Sequence, residues 1–198
     1  QNAGYHLNLS NIKLSKSSAF NLFSWDSGAK ISRNNINVDL VEENASVNLN
    51  TLFSPRKKLH IDNQLKIKHI GEKCESSLDY RGILKDQSTG VFGGAVYVDQ
   101  EAADTQSKMT NRNLLLSDHA RINTKPVLEI YNEDVQCTHS ATSGHLDEEK
   151  LFYIQSRGIG ESDAMNILIQ SFASELVEKI KNSQMKRTFQ EYLFQKLQ

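Results

Sequence analysis

Leu65-Lys66-Ile67-Lys68-His69-Ile70, followed by Gly71-Glu72-Lys73, is the stretch whose reading decides the fold. Apolar residues stand at every second position, the period of a strand with one buried face, and the Gly-Glu-Lys after it is turn chemistry. Working outward, the same unit recurs. His6-Leu7-Asn8-Leu9, Ile36-Asn37-Val38-Asp39-Leu40 and Val96-Tyr97-Val98 alternate in the same way. Between such runs lie Ser32-Arg33-Asn34-Asn35, Glu42-Glu43-Asn44, Asp86-Gln87-Ser88-Thr89-Gly90 and Gly93-Gly94, all residues that turn a chain readily. Many short strands at regular spacing fit a sandwich, a barrel or a β-solenoid, and no strict hexapeptide or nonapeptide repeat selects among them. Recurring asparagine (Asn34, Asn35, Asn48, Asn50, Asn111 and Asn113) is a hint of amides stacked from rung to rung in a solenoid.

After Leu146 the period changes from two to that of a helix. Asp147 is placed to cap a helix opening Glu148-Glu149-Lys150, and Arg157-Gly158 to end it. A second helix from about Ser162 carries Ala164, Ile167, Leu168, Phe172, Leu176 and Ile180 on one face. A third from Ser183 carries Met185, Phe189, Leu193 and Leu197. The expected organisation is a β domain over residues 1–146 and a small helical domain over 147–198. Helices of this length need a surface to dock against.

Composition excludes several classes. Lys and Arg number 23 against 24 Asp and Glu, a net charge of −1 over 198 residues, so no field draws nucleic acid. Mean hydropathy is −0.52, and no apolar run nears the roughly 20 residues that span a bilayer. No signal peptide is read at the start, and two cysteines, Cys74 and Cys137, are too few for a disulfide framework. The expected setting is a reducing one, the cytoplasm. Gly93-Gly94 lacks the following Lys-Ser/Thr and helix of a phosphate loop, and no Gly-x-Ser-x-Gly nucleophile setting occurs.

The run Ser88-Thr89-Gly90-Val91-Phe92-Gly93-Gly94-Ala95-Val96-Tyr97-Val98 closely resembles the core of the SufB/SufD family of iron–sulfur cluster assembly proteins. The likeness continues through Asn111 to Asp118, Thr124 to Ile130, Asp134 to Thr142 and Leu151 to Ile159, with Ile31 to Asn35 as an earlier landmark. Cys137-Thr138-His139-Ser140-Ala141-Thr142 resembles the Cys-Ser-His-Gly-Ala-Thr of the SufD branch, with serine where glycine is usual. The resemblance implies a right-handed parallel β-helix followed by a small helical domain. The family also has an N-terminal helical region, for which no counterpart is read here. It further implies a non-enzymatic scaffold that pairs with SufB through the β-helix and with the ATPase SufC through the C-terminal helices. No tightly bound cofactor is expected, only iron or a cluster held transiently and shared with SufB.

Cys137 and His139 stand two apart in a strand, so thiolate and imidazole share a face and form the candidate metal or cluster-assembly pair. Two ligands fall short of the usual four, which favours a site completed at an interface. The SufB-facing candidates are Leu128, Ile130, Val135, Cys137 and His139; the SufC-facing candidates are Arg157, Gly158, Ile159, Ile169, Phe172 and Ala173. Most of the helical stripe, Phe172 included, also reads as core. Cys74 reads as a small residue at a strand edge. His60, His69 and His119 are scattered, His145 reads as a turn histidine, and Asp118 with Asp134 as strand-end turn residues. The competing readings are a β-helix enzyme, acyltransferase or polysaccharide-active, and a homodimeric structural protein. In isolation a second copy of the chain is the expected stand-in for SufB.

Overall fold

The computed structural model describes residues 4–196. Ten strands come first: β1 (Tyr5–Leu14), β2 (Ala19–Asp26), β3 (Ile31–Leu40), β4 (Ser46–Phe53), β5 (His60–His69), β6 (Glu75–Leu84), β7 (Thr89–Val98), β8 (Thr105–Leu115), β9 (Arg121–Ile130) and β10 (Val135–Gly144). Odd strands form one five-stranded sheet, β1-β3-β5-β7-β9, and even strands the other, β10-β8-β6-β4-β2. Every pairing is parallel. One odd and one even strand make a rung, and rungs stack into a parallel β-solenoid.

Register builds the interior by setting like over like. Val38 lies over Ile67 and Ile67 over Val96 in the odd sheet; Leu49, Leu78 and Met109 stack in the even sheet. These side chains meet in one buried core, each large one contributing about 1.5–3 kcal/mol on burial. Gly94 belongs to this interior, where a Cβ would run into Met109 Sδ. The Gly93-Gly94 pair is therefore strand interior. Amide ladders join the rungs, with Asn34 Nδ2 donating to Asn63 Oδ1 at 3.2 Å and Asn48 Nδ2 to Asn21 Oδ1 at 3.0 Å.

The corners are as regular as the strands. Ser17, Asn44, Lys73 and Asp104 all take left-handed backbone angles, φ 54–59°, on one corner, as Lys57 and Asp86 do on the other. Each member of the first set donates its N–H one rung up: Ser17 to Glu43 O, Asn44 to Glu72 O, Lys73 to Ala103 O and Asp104 to Asp134 O. The ladder fixes a conformation that lysine and serine would not choose alone.

Three helices follow: α1 (Glu148–Gln155), α2 (Glu161–Val177) and α3 (Ser183–Lys196). Asp147 caps α1, accepting from the N–H groups of Glu149 and Lys150 at 3.1 Å each. The α2 and α3 pair covers the outer face of the even sheet. Phe189 meets Phe23 edge-on with ring centroids 4.4 Å apart, and Tyr192 meets Trp25 at 5.3 Å. Strand β6 is consequently buried on both faces over most of its length.

The buried face of α2 differs from the expected stripe. Ala164, Ile169, Ala173, Leu176 and Val177 are the buried residues, with Phe172 and Ile180 packed beside them. Ile167, assigned to that stripe by spacing, faces solvent. The solenoid surface meets α2 nearer the 169/173/176 line, which rotates the contact away from Ile167. Leu197 lies outside the described residues.

Candidate functional site at the last rung

Strands β9 and β10 end their sheets, so each is paired on one side only among the described residues. The last rung therefore presents two strand edges and an open end of the interior. On β10 the residues Val135, Cys137, His139 and Ala141 stand in register with Thr105, Ser107, Met109 and Asn111 of β8, all buried. Cys137 and His139 thus continue the inward columns into a rung that nothing among the described residues caps. The shared face expected from their spacing is the face they occupy.

The two differ in surroundings. Cys137 is half-buried and packs against the main core, which pushes its thiol pKa up, while the Ser107 backbone N–H opposes that rise. His139 is exposed. A thiol and an imidazole on one edge offer one soft and one borderline donor with open positions around them. Among the described residues no group of three or more His, Cys, Asp or Glu is arranged to hold a metal ion. A self-contained four-ligand centre is not what these residues build.

Of the residues around the pair, Leu128 and Val135 are half-buried against the core, and Ile130 is exposed at the end of β9. Tyr131, just beyond, is also exposed and pairs with Tyr97 at 5.2 Å. Asp118 and Asp134 stand in turns at opposite ends of β9. Asp134 takes part in turn hydrogen bonds, its N–H donating to Asn132 Oδ1. His145 Nδ1 lies 3.1 Å from Leu115 O. Cys74 is fully buried, its thiol donating to Glu42 O.

The helical candidates separate into two groups. Ile169 and Ala173 are 5% and 0% exposed, interior to the α2 contact, and Phe172 is half-buried there. Arg157 and Gly158 are exposed and Ile159 half-buried in the turn between α1 and α2. Arg157 stacks on Tyr153, 5.0 Å from the ring, and its Nη2 donates to the Tyr153 hydroxyl. Phe152 and Tyr153 present their rings to solvent on α1, a helix with no buried residue.

Two arrangements have no signal in the sequence. Inside the solenoid His69, fully buried, meets Ser76 Oγ at 2.9 Å, and Ser76 Oγ meets Ser107 Oγ at 2.7 Å, directly under Cys137. Burial holds the His69 pKa down to about 4. Under α2, Asp79 and Arg81 of β6 are buried within a charged network described below.

The family description "SUF system FeS cluster assembly, SufBD core domain" matches residues 1–172. The chain belongs to that family. It is 38% identical over 160 residues to the iron–sulfur cluster assembly protein SufD of Escherichia coli, covering 81% of this chain and 38% of that protein, which supports the SufD branch. A SufBD family protein of Synechocystis is 33% identical over 178 residues, 89% of this chain and 39% of its own length. A chloroplastic relative from Arabidopsis thaliana is 31% identical over 185 residues, 93% and 39% respectively. The chain thus spans under two fifths of these relatives' length. Among the described residues no helix is long and apolar enough to cross a membrane.

Proposed function

We propose that the chain serves iron–sulfur cluster assembly as a SufD-type scaffold, lending Cys137 and His139 to a site completed by a SufB-like subunit. The observation that carries this reading is the placement of both donors on the inward face of an edge strand, paired only to β8, at an open rung. Exposed backbone edges of β9 and β10 are surfaces that proteins seldom leave bare, and a second solenoid end would satisfy them. Iron or the nascent cluster is cargo here. A site with only two donors from this side releases what it holds once its other half withdraws, whereas a closed four-ligand centre retains its metal.

A SufC-like ATPase is proposed to dock on the helical side, around Arg157, Gly158 and Ile159 with the exposed Phe152 and Tyr153. Ile169, Ala173 and Phe172 then support that surface from beneath. The scaffold role requires no catalytic side chain, and hydrolysis belongs to the ATPase. The proposed compartment is the cytoplasm or, as for the Arabidopsis relative, a plastid.

The test is the cluster content of the complex co-purified with SufB-like and SufC-like subunits, read by visible absorbance and iron assay. His139→Ala is expected to leave folding and subunit association unchanged and to reduce cluster content. Cys137→Ser is expected to do less, because its thiol is partly packing. Wild-type cluster content in both single variants and in the double would make the pair structural.

A further inference from the structure

The outer face of β6 carries two charges beside an apolar cluster. Asp79 and Arg81 are 5% and 2% exposed, beneath α2 and beside a cluster of Leu52, Ile83, Leu114, Ile169, Leu176 and Val177. Arg81 is bonded in several directions at once. Its Nε and Nη2 each donate to Asp79 at 3.3 Å, its Nη1 to the Phe172 carbonyl at 2.6 Å, and Nη2 pairs with Glu175 at 2.9 Å. The guanidinium also lies 5.5 Å from the Phe172 ring. Lys179 Nζ closes the far side on Asp79 at 2.6 Å, and Glu175 reaches on to Arg112 of β8 at 3.2 Å.

Burying such a network rarely adds stability over apolar residues of the same volume, because desolvation offsets the attraction. What it adds is direction. Apolar contact is non-directional and tolerates a helix that slides or rotates. A guanidinium fork satisfied by a carboxylate, a main-chain carbonyl and a second carboxylate fits one arrangement only.

We propose that Asp79, Arg81, Glu175 and Lys179 form a charge lock that makes α2 and the solenoid one rigid body. Force applied to the helices is then delivered to β6 and β8, and β8 is the strand on which β10 is laid. The lock stands on the geometry alone; its use in carrying a partner's motion to Cys137 and His139 rests on the function proposed above.

The test measures spin–spin distances in the full chain, with nitroxides at Asp163 on α2 and Lys66 on the exposed face of β5, in a Cys137→Ser background where Cys74 is buried. Wild type is expected to give one narrow distance. Replacing the buried pair and the lysine that closes on it, Asp79→Leu with Arg81→Met and Lys179→Met, is expected to keep the circular dichroism and a cooperative melt while losing the single distance. A folded triple variant that retains one narrow distance overturns the lock, as does a wild type with several distances. Should the triple variant not fold, Glu175→Gln with Lys179→Met, both at exposed side chains, is read the same way: a broadened distance supports the lock and an unchanged one overturns it. Binding of a purified SufC-like ATPase to the unlabelled wild type is scored separately. Its failure would count against the proposed function and leave the lock standing.

Discussion

His69 is a titratable residue held deep among aliphatic side chains. Its inward neighbours in register, Leu40 and Val98, are aliphatic, and its one described partner is Ser76. Nδ1 has no partner among the described residues. Burial disfavours the imidazolium, so the folded pKa falls from 6.5 to about 4. Between those values the unfolded chain binds a proton that the folded chain refuses. Stability contributed by neutral His69 is therefore complete above pH 6.5 and is lost as the pH falls toward 4. The expected loss is about 2 kcal/mol between pH 6.5 and 4.5. Urea denaturation of wild type and His69→Gln at both pH values checks this, since the variant should lack that part of the slope. Equal slopes in the two proteins would mean His69 titrates normally when folded.

At the scale of elements, the corner turns bear more of the fold than their polar composition implies. Lys73 is exposed, yet its backbone sits at φ 54° and its N–H donates to Ala103 O. Little side-chain packing is at stake there, so substitutions report on the backbone. Lys73→Val should lower stability by roughly 1–2 kcal/mol, because a β-branched residue fits the left-handed region poorly. Lys73→Gly should be neutral or mildly stabilising. Paired chemical-denaturation curves decide it, and a harmless valine would show that the corner relaxes without cost. The turns at 42–44, 71–73 and 86–87 are legible because Asn, Asp and Gly punctuate them, whereas Ser32-Arg33-Asn34-Asn35, read as a turn by the same chemistry, lies inside β3 and its Asn34 joins a rung-to-rung amide ladder. Their stacking is not, because each ladder bond joins residues a whole rung apart.

For the whole molecule the consequence of open rungs is association. The strand edges of β9 and β10 lie at one end, with Ile130 and Tyr131 exposed beside them. The isolated chain is expected to self-associate there as its concentration rises. Ala141 is exposed on the inward face of β10, two residues beyond His139. A lysine there points a charge into the seam while leaving Cys137 and His139 themselves unchanged, a device natural sheet edges use against pairing. Ala141→Lys should keep the circular dichroism of the wild type and give a monomer by light scattering at concentrations where wild type is a dimer. It should equally weaken capture of a SufB-like subunit. A variant that still associates as wild type does would place the contact elsewhere.

Period-two alternation in Leu65 to Ile70 and its repeats determines strands, and the change after Leu146 determines helices, because both follow from which side of a local element meets water. Asp147 as a cap and the shared face of Cys137 and His139 are likewise local, set within a few residues by helix and strand geometry. Choosing a solenoid over a sandwich or barrel is not local. It depends on pairing residues 26 to 32 apart, a span the asparagine and serine ladders share. Only the tertiary structure buries Asp79 and Arg81, since nothing near them in sequence foretells that α2, some 90 to 100 residues on, closes over β6. The same closure turns Ile169 and Ala173 inward and leaves Ile167 in solvent, because a helix's buried face is set by the surface it meets. His69 belongs with them: alternation marks it as inward, but the serines that receive it arrive from the next strand and the next rung.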